Sequence, residues 1–299
     1  MSDATPQQNS TEAIPTKGKS GFAVLVGRSN VGKSTLLNAL VGTKVAITSP
    51  KPQTTRLPVH GILTTEQGQI VFVDTPGIFQ ERRGSLGGRL LSSVKHSLRD
   101  VDAIVYVVDP TRSIGDEEKT VMRLIADIEK PKILVINKMD IREKPFVDFY
   151  RDLAPKFSTM IELSALDGAH VRTLTQIIYD FLPVGDPYYP DYQYTNQPNK
   201  DWIAEIIREK LFLRLHQELP YNVHVEVDDI QERSNGMLYI AATVYTTTER
   251  AQRIVIGQGA RGIKEIGQSA RKELEGVMEK KIYLDLNVSV DPSWTRKIG

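Results

Sequence analysis

The chain has 299 residues, 40% of them hydrophobic and 25% charged, with 38 basic against 37 acidic side chains and no cysteine. That length predicts roughly two domains with ample material for buried cores, and a net charge of +1 confines any nucleic-acid site to a local patch. The missing cysteines exclude a disulfide framework and a thiolate metal site, as suits a reducing cytoplasm.

Residues 1–19 are polar and rich in Ser, Thr, Gln and Pro, the composition of a disordered tail. They lack a signal-peptide core, and no apolar run further on reaches bilayer length. From Gly21, short Val- and Ile-rich runs alternate with helical patterns. The runs at 21–27, 69–77, 101–109, 132–140 and 159–165 read as strands covered on both faces. Gln67-Gly68 predicts the turn of a hairpin over 60–72, placed at the sheet edge. Helical periodicity at 33–42, 116–130 and 169–182 completes an α/β domain over 20–185, a mostly parallel sheet with helices on both faces. The Pro- and Tyr-rich stretch that follows reads as a linker over 186–200, its tyrosines packed along a domain surface. Residues 201–299 give the order α-β-β-α-α-β, with Asp201 as the first helix cap and Asn235-Gly236 turning a hairpin. That is a separate α+β domain.

The run Gly27-Arg28-Ser29-Asn30-Val31-Gly32-Lys33-Ser34-Thr35 has phosphate-loop spacing, with a strand before it and a helix after. Its glycines let backbone N–H groups converge on phosphate oxygens, and the helix N-terminus adds its positive dipole end. Lys33 suits the β- and γ-phosphates, and the Ser34 hydroxyl suits Mg²⁺. A structural glycine loop would not require that placement. Asp74-Thr75-Pro76-Gly77 closes a strand: Asp74 could hold a water on Mg²⁺ and Gly77 could offer its N–H to the γ-phosphate. Alone, this motif would be a turn.

Asn137-Lys138-Met139-Asp140 selects the base. The Asn137 amide fits the N7 and O6 edge, Lys138 can cover the ring, and Asp140 can accept from the N1–H and 2-amino group of guanine. Adenine would leave that carboxylate unpaired, which disfavours an ATPase or kinase. In isolation the motif would be a polar strand exit. Ser164-Ala165, whose backbone could cap the guanine O6, completes the set in chain order.

With "KPQTTR" (51–56), "DTPGI" (74–78), "LSA" (163–165) and "IVIGQGARGIKEIG" (254–267), the chain resembles the Era family of bacterial GTPases from Gly21 to its C-terminus. These GTPases end in a type II KH domain. The resemblance implies that Gln53, Thr54, Thr55 and Arg56 form the first switch, with one of the two threonines closing on Mg²⁺; spacing does not say which. It sets Ile78 where Ras-like GTPases carry the glutamine that orients water. Asn30 falls where related potassium-activated GTPases hold K⁺, so Asn30, Lys33 and Gly77 are the candidate catalytic groups. A K⁺ there would neutralise charge between the β- and γ-phosphates. Ser29 departs from the proline common in the family, which reduces loop rigidity.

KH domains clamp single-stranded RNA with a GxxG turn between two helices. Here the aligned turn is Gly257-Gln258-Gly259-Ala260, with alanine in the last place; Gly259-x-x-Gly262 is out of register. Residues 250–272 hold Arg250, Arg253, Arg261, Lys264, Arg271 and Lys272 against Glu265 alone. Such a run is ordinarily a solvated face, and the turn beside it favours RNA contact at Arg253, 257–261 and Lys264. The resemblance implies a monomeric, GTP-hydrolysing switch that binds the 3′ end of 16S rRNA and assists 30S subunit assembly. The alternative is a weakly catalytic, GTP-dependent scaffold on RNA or at the cytoplasmic membrane face.

Overall fold

The computed structural model describes residues 18–51, 54–55, 58–77, 92 and 94–294. Expectations that fall on residues 1–17, Gln53, Arg56 and Ile78 lie outside the described residues. The first domain is built on strands β1 (Lys19–Val26), β2 (Val59–Thr65), β3 (Gly68–Asp74), β4 (Ala103–Val108), β5 (Lys132–Ile136) and β6 (Thr159–Glu162). They form one sheet in the order β2-β3-β1-β4-β5-β6. All its pairings are parallel except β2 with β3, the hairpin read from Gln67-Gly68.

The continuous apolar runs follow from burial on both faces. In β4, Ala103, Val105 and Val107 join the core beneath helices α1 (Lys33–Val41) and α4 (Val171–Phe181). Ile104, Tyr106 and Val108 point the other way, toward α2 (Asp116–Ala126) and α3 (Val147–Arg151). Period-2 geometry with no solvent face leaves no place for polar alternation. Helix α2 ends at Ala126, short of the predicted 130; the restriction on the residue before Pro131 excludes Lys130 from it in any case. The expected tail ends too late: Lys19 already pairs with Gly68 in β1 and bridges to Val184.

The second domain contains α5 (Asn199–Arg214), β7 (Val223–Glu232), β8 (Leu238–Thr246), α6 (Glu249–Ile256), α7 (Arg261–Met278) and β9 (Ile282–Val290). Its sheet runs β7-β8-β9, antiparallel then parallel. Ile203, Ile206, Ile207 and Leu211 of α5, with Ile266, Ala270 and Leu274 of α7, cover its inner face. Asp201 is not the cap that was expected. Helix α5 begins at Asn199 behind Pro198, and Asp201 lies in the first turn, where a carboxylate suits the helix dipole. Among the helices described, none is long and apolar enough to cross a membrane.

The linker is held more firmly than its composition suggests, and its last two residues are already helical. The Tyr194 carbonyl accepts from Ile62 N on edge strand β2 at 2.9 Å, and Tyr188 packs edge-on against Phe22. Gln69, wholly buried, donates to the Tyr189 carbonyl at 2.8 Å and accepts from the N–H groups of Tyr188 and Tyr189. The rings of Tyr188 and Tyr189 therefore pack on the domain surface, through Phe22 and His60, while Tyr192 is largely exposed. Removing the amide would strand those backbone groups, so Gln69→Ala should destabilise the fold by about 2 kcal/mol. Urea denaturation, with faster proteolysis within 187–196, is the check.

Candidate active site

The loops that carry the motifs converge at the C-terminal ends of β1, β3, β5 and β6, where open α/β sheets hold ligands. Gly32 enters α1 with φ 97°, and a Cβ on it would lie 2.4 Å from Asn137 Nδ2. Glycine alone lets the phosphate loop meet the base loop there. A Cβ on Gly77 would likewise lie 2.7 Å from Ser29 Cα, so the turn after β3 approaches the loop backbone to backbone.

Lys33 is almost fully buried, with Nζ donating to the Gly27 and Arg28 carbonyls at 3.2 and 3.1 Å. Desolvation lowers its pKa, against the attraction of Asp74 and Glu118. Asp74 is the mirror case. Burial raises its pKa, against Lys33 and the hydroxyls of Ser34 and Thr55. Ser34 Oγ donates to Asp74 Oδ2 at 2.6 Å, and Thr55 Oγ1 lies 3.1 Å from Ser34 Oγ. Asp74 Oδ1 is buried without a hydrogen bond among the described residues, which fits a carboxylate meant to hold a metal-bound water. The two threonines separate clearly. Thr54 spends its hydroxyl on Ser49 Oγ and the Lys51 carbonyl, each at 2.8 Å, and only Thr55 faces Ser34 and Asp74. Thr75 Oγ1 anchors the turn to the Leu25 carbonyl at 2.7 Å.

Arg28 keeps its backbone in the loop, but its side chain leaves the pocket. Its guanidinium pairs with Glu118 at 3.0 Å and donates to the Ser113 carbonyl at 2.7 Å. Both charges are buried, and Glu118 also accepts from the hydroxyls of Tyr106 and Tyr150. Arg112 returns the contact by donating to the Ser29 carbonyl at 2.9 Å.

At the base end, Asp140 Oδ1 accepts from Ser164 Oγ at 2.7 Å, which orients the carboxylate. Lys138, at φ 63°, donates to the Asn30 carbonyl at 2.8 Å and to Asp109 Oδ2 at 2.6 Å, fixing its stem beside the loop. Burial pushes the Asp109 carboxyl up, but the bonds from Lys138 and Thr111 outweigh it and hold it low. Groups expected to meet the base are already bonded within the protein. Asn137 stitches the pocket, donating to the Val31 carbonyl and accepting from Ala165 N, both at 2.9 Å, with one amide hydrogen left over. The N–H of Ser164 donates to the Ala169 carbonyl at 3.2 Å. Both N–H groups expected at O6 are thus engaged within the protein, that of Ala165 because a buried carboxamide at 137 must have both ends satisfied.

A family model for a 50S ribosome-binding GTPase matches residues 22–138, and a KH domain model matches 218–295. The GTPase Era of Halothermothrix orenii is 41% identical over 94% of this chain and 96% of its own. That of Carboxydothermus hydrogenoformans is 43% identical over 93% and 95%. The chain belongs to the Era family of GTPases. The fold agrees with the crystal structure of Era in complex with MgGDPNP and nucleotides 1506–1542 of 16S ribosomal RNA, at a TM-score of 0.86 and 36% identity. That match covers 94% of this chain and 96% of the other. A single-residue variant of Aquifex aeolicus Era bound to GDP·AlF4⁻ matches as well, with a TM-score of 0.86 and 36% identity over 93% of this chain and 96% of its own.

In this Era-family chain the KH turn lies where the sequence puts it. Gly257 ends α6, residues 258–260 make a short 3-10 turn, and α7 starts at Arg261. Arg253, Gln258, Gly259, Ala260, Arg261 and Lys264 are exposed around it. Ala260 holds φ 60°, the left-handed region that glycine occupies without cost. Replacing it should therefore stabilise the fold: Ala260→Gly gains roughly 0.5–1 kcal/mol after the added freedom of the unfolded chain is subtracted. A thermal melt of the two proteins reads the difference directly.

Proposed function

We propose that this Era-family GTPase holds a guanine nucleotide and Mg²⁺ in the pocket described and binds the 3′ end of 16S rRNA through its KH domain, in assembly of the 30S subunit. The observation that carries the nucleotide reading is the meeting of two sets of residues across Gly32: Lys33, Ser34, Thr55 and Asp74 on one side, Asn137, Lys138 and Asp140 on the other. The first set suits phosphate and metal, the second a guanine edge. The 16S reading is supported by the crystal structure of Era with nucleotides 1506–1542 of 16S ribosomal RNA, which matches 94% of this chain, whereas the family description that names the 50S particle covers residues 22–138 alone.

Ser34, Thr55 and Asp74 are the residues that would hold Mg²⁺, which when bound neutralises charge on the β- and γ-phosphates. Lys33, already desolvated, gives its charge to the same phosphates without having to shed water. Gly77 brings a backbone N–H to the γ-phosphate side. The Asn30 amide nitrogen donates to the Pro50 carbonyl at 2.7 Å, which leaves its side-chain oxygen as the end a K⁺ would use. We place the G domain from Lys19 to 185, the linker at 186–198 and the KH domain from Asn199 onward.

Asp140→Asn should move preference from GTP toward XTP, because xanthine has a carbonyl where guanine has its 2-amino group. Recognition of such a polar edge is worth a factor of about 10⁴ or more. Competition binding that leaves GTP preferred by the mutant would refute the guanine assignment. Asn30→Ala should abolish K⁺ stimulation of GTP hydrolysis with nucleotide binding intact. Equal wild-type rates in Na⁺ and K⁺ would refute that role. For RNA, Arg261→Ala and Lys264→Ala should weaken binding of a 16S 3′-end oligonucleotide and each reduce the salt slope by about 1, as fewer counterions are released. Unchanged affinity and slope in titrations at two salt concentrations would make the KH domain a protein-binding or structural module.

A further inference from the structure

Residues 44–51 and Thr54, which precede Thr55, are gripped by the KH domain. Trp202 Nε1 donates to the Lys44 carbonyl at 3.0 Å. Glu209 accepts from Thr48 N at 2.8 Å and from Lys44 Nζ at 2.6 Å, while Lys44 also pairs with Glu273 of α7. Ile47 is buried in the KH core, and Lys51 Nζ donates to carbonyls at the C-terminal end of α5. The last contact is the most telling. Arg208, only 2% exposed, donates from Nη2 to the Thr54 carbonyl at 2.5 Å.

Holding a helix against a loop does not require this. Burying a guanidinium is costly, and an apolar side chain of similar volume often serves stability as well or better. Glu205 accepts from Nε at 2.7 Å and the Phe212 ring lies 5.0 Å from the guanidinium carbon, so the group is fixed in one direction. That direction is the backbone of the residue before Thr55.

We propose that Arg208 is a positioning residue for the GTP-bound state: by fixing the Thr54 carbonyl it sets the Thr55 hydroxyl beside Ser34 and Asp74, coupling a KH helix to the metal site. This rests on the reading of Thr55 as a metal-facing group. The same helix is tied to the head of α7, next to the turn 257–260, through the Arg214–Glu265 ion pair at 2.7 Å. A coupling of this kind is reciprocal, so RNA engaged at that turn biases the nucleotide site as much as nucleotide biases the turn.

The test compares full-length wild type with Arg208→Lys and Arg208→Met, measuring affinity for GDP and for GDPNP across a Mg²⁺ titration. GDP affinity should be unchanged. Mg²⁺-dependent GDPNP affinity should fall about tenfold in Arg208→Met and less in Arg208→Lys, the scale of one lost charge-assisted hydrogen bond. Equal losses for both nucleotides, or none, would overturn the proposal. If Arg208→Met does not fold, Glu205→Gln loosens the same guanidinium and should produce the same selective loss; no selective loss there overturns it too. A wild type whose GDPNP affinity ignores Mg²⁺ would instead overturn the metal reading of Ser34, Thr55 and Asp74.

Discussion

Lys33 is an ammonium carried into nearly dry protein on nothing better than two carbonyls, those of Gly27 and Arg28. Two neutral acceptors do not repay the desolvation of a charge, and so its pKa falls. Asp74 faces the same deficit with the opposite sign. Their mutual attraction offsets part of the cost, and the rest is the deficit that the proposed phosphate and metal would make good. Much of the surrounding structure keeps these two charges apart and in place: Ser34 on one oxygen of Asp74, Thr75 on the Leu25 carbonyl, Gly77 against Ser29.

Strand order makes this possible. With β1 between β3 and β4, the loop after β1 lies beside the exits of both neighbours. β5 follows one place further out and delivers Asn137 across Gly32. Base recognition and phosphate recognition therefore share a wall. A longer side chain at Gly32 would strike Asn137 before it disturbed any ligand, so the glycine's first duty is to join two loops of the protein.

The fold was legible because burial on both sheet faces prints continuous apolar runs, and Asn-Gly or Gln-Gly turns print their own signals. The phosphate loop and the base motif were legible because their chemistry depends on residues close in sequence. Spacing was blind where partners are distant. It could not separate Thr54 from Thr55, since both hydroxyls stand at the same place in the chain and differ only in what surrounds them. It put Arg28 in the pocket, although Glu118, ninety residues away, draws the side chain out. Arg208 and Glu209 left no trace, because charged residues on an amphipathic helix ordinarily mean a solvated face, and only packing of the KH domain on residues 44–51 and Thr54 turns that face inward. The Ser164 hydroxyl, which orients Asp140, hid behind the expectation of a backbone role.

Buried charges in this chain fall into two kinds, and the difference separates function from scaffold. Arg28 and Glu118 are paired with each other, and two tyrosine hydroxyls and several backbone carbonyls take most of their remaining hydrogen-bonding groups. Glu209 is similar; burial alone would raise its pKa, but Lys44, Lys210 and the Thr48 N–H together lower it. Such groups are balanced within the protein and have little to gain from a ligand. Lys33 and Asp74 are not balanced; Lys33 lines the pocket, and Asp74 lies behind Ser34 and Thr55, which also line it. Arg208 stands between the kinds: Glu205 takes its Nε and Nη2, Nη2 also reaches the single carbonyl of Thr54, and Nη1 is buried without a hydrogen bond among the described residues. A charge already short of one acceptor carries a preference for the loop conformation that keeps the other, since losing the Thr54 carbonyl would strand a second buried N–H of the same guanidinium.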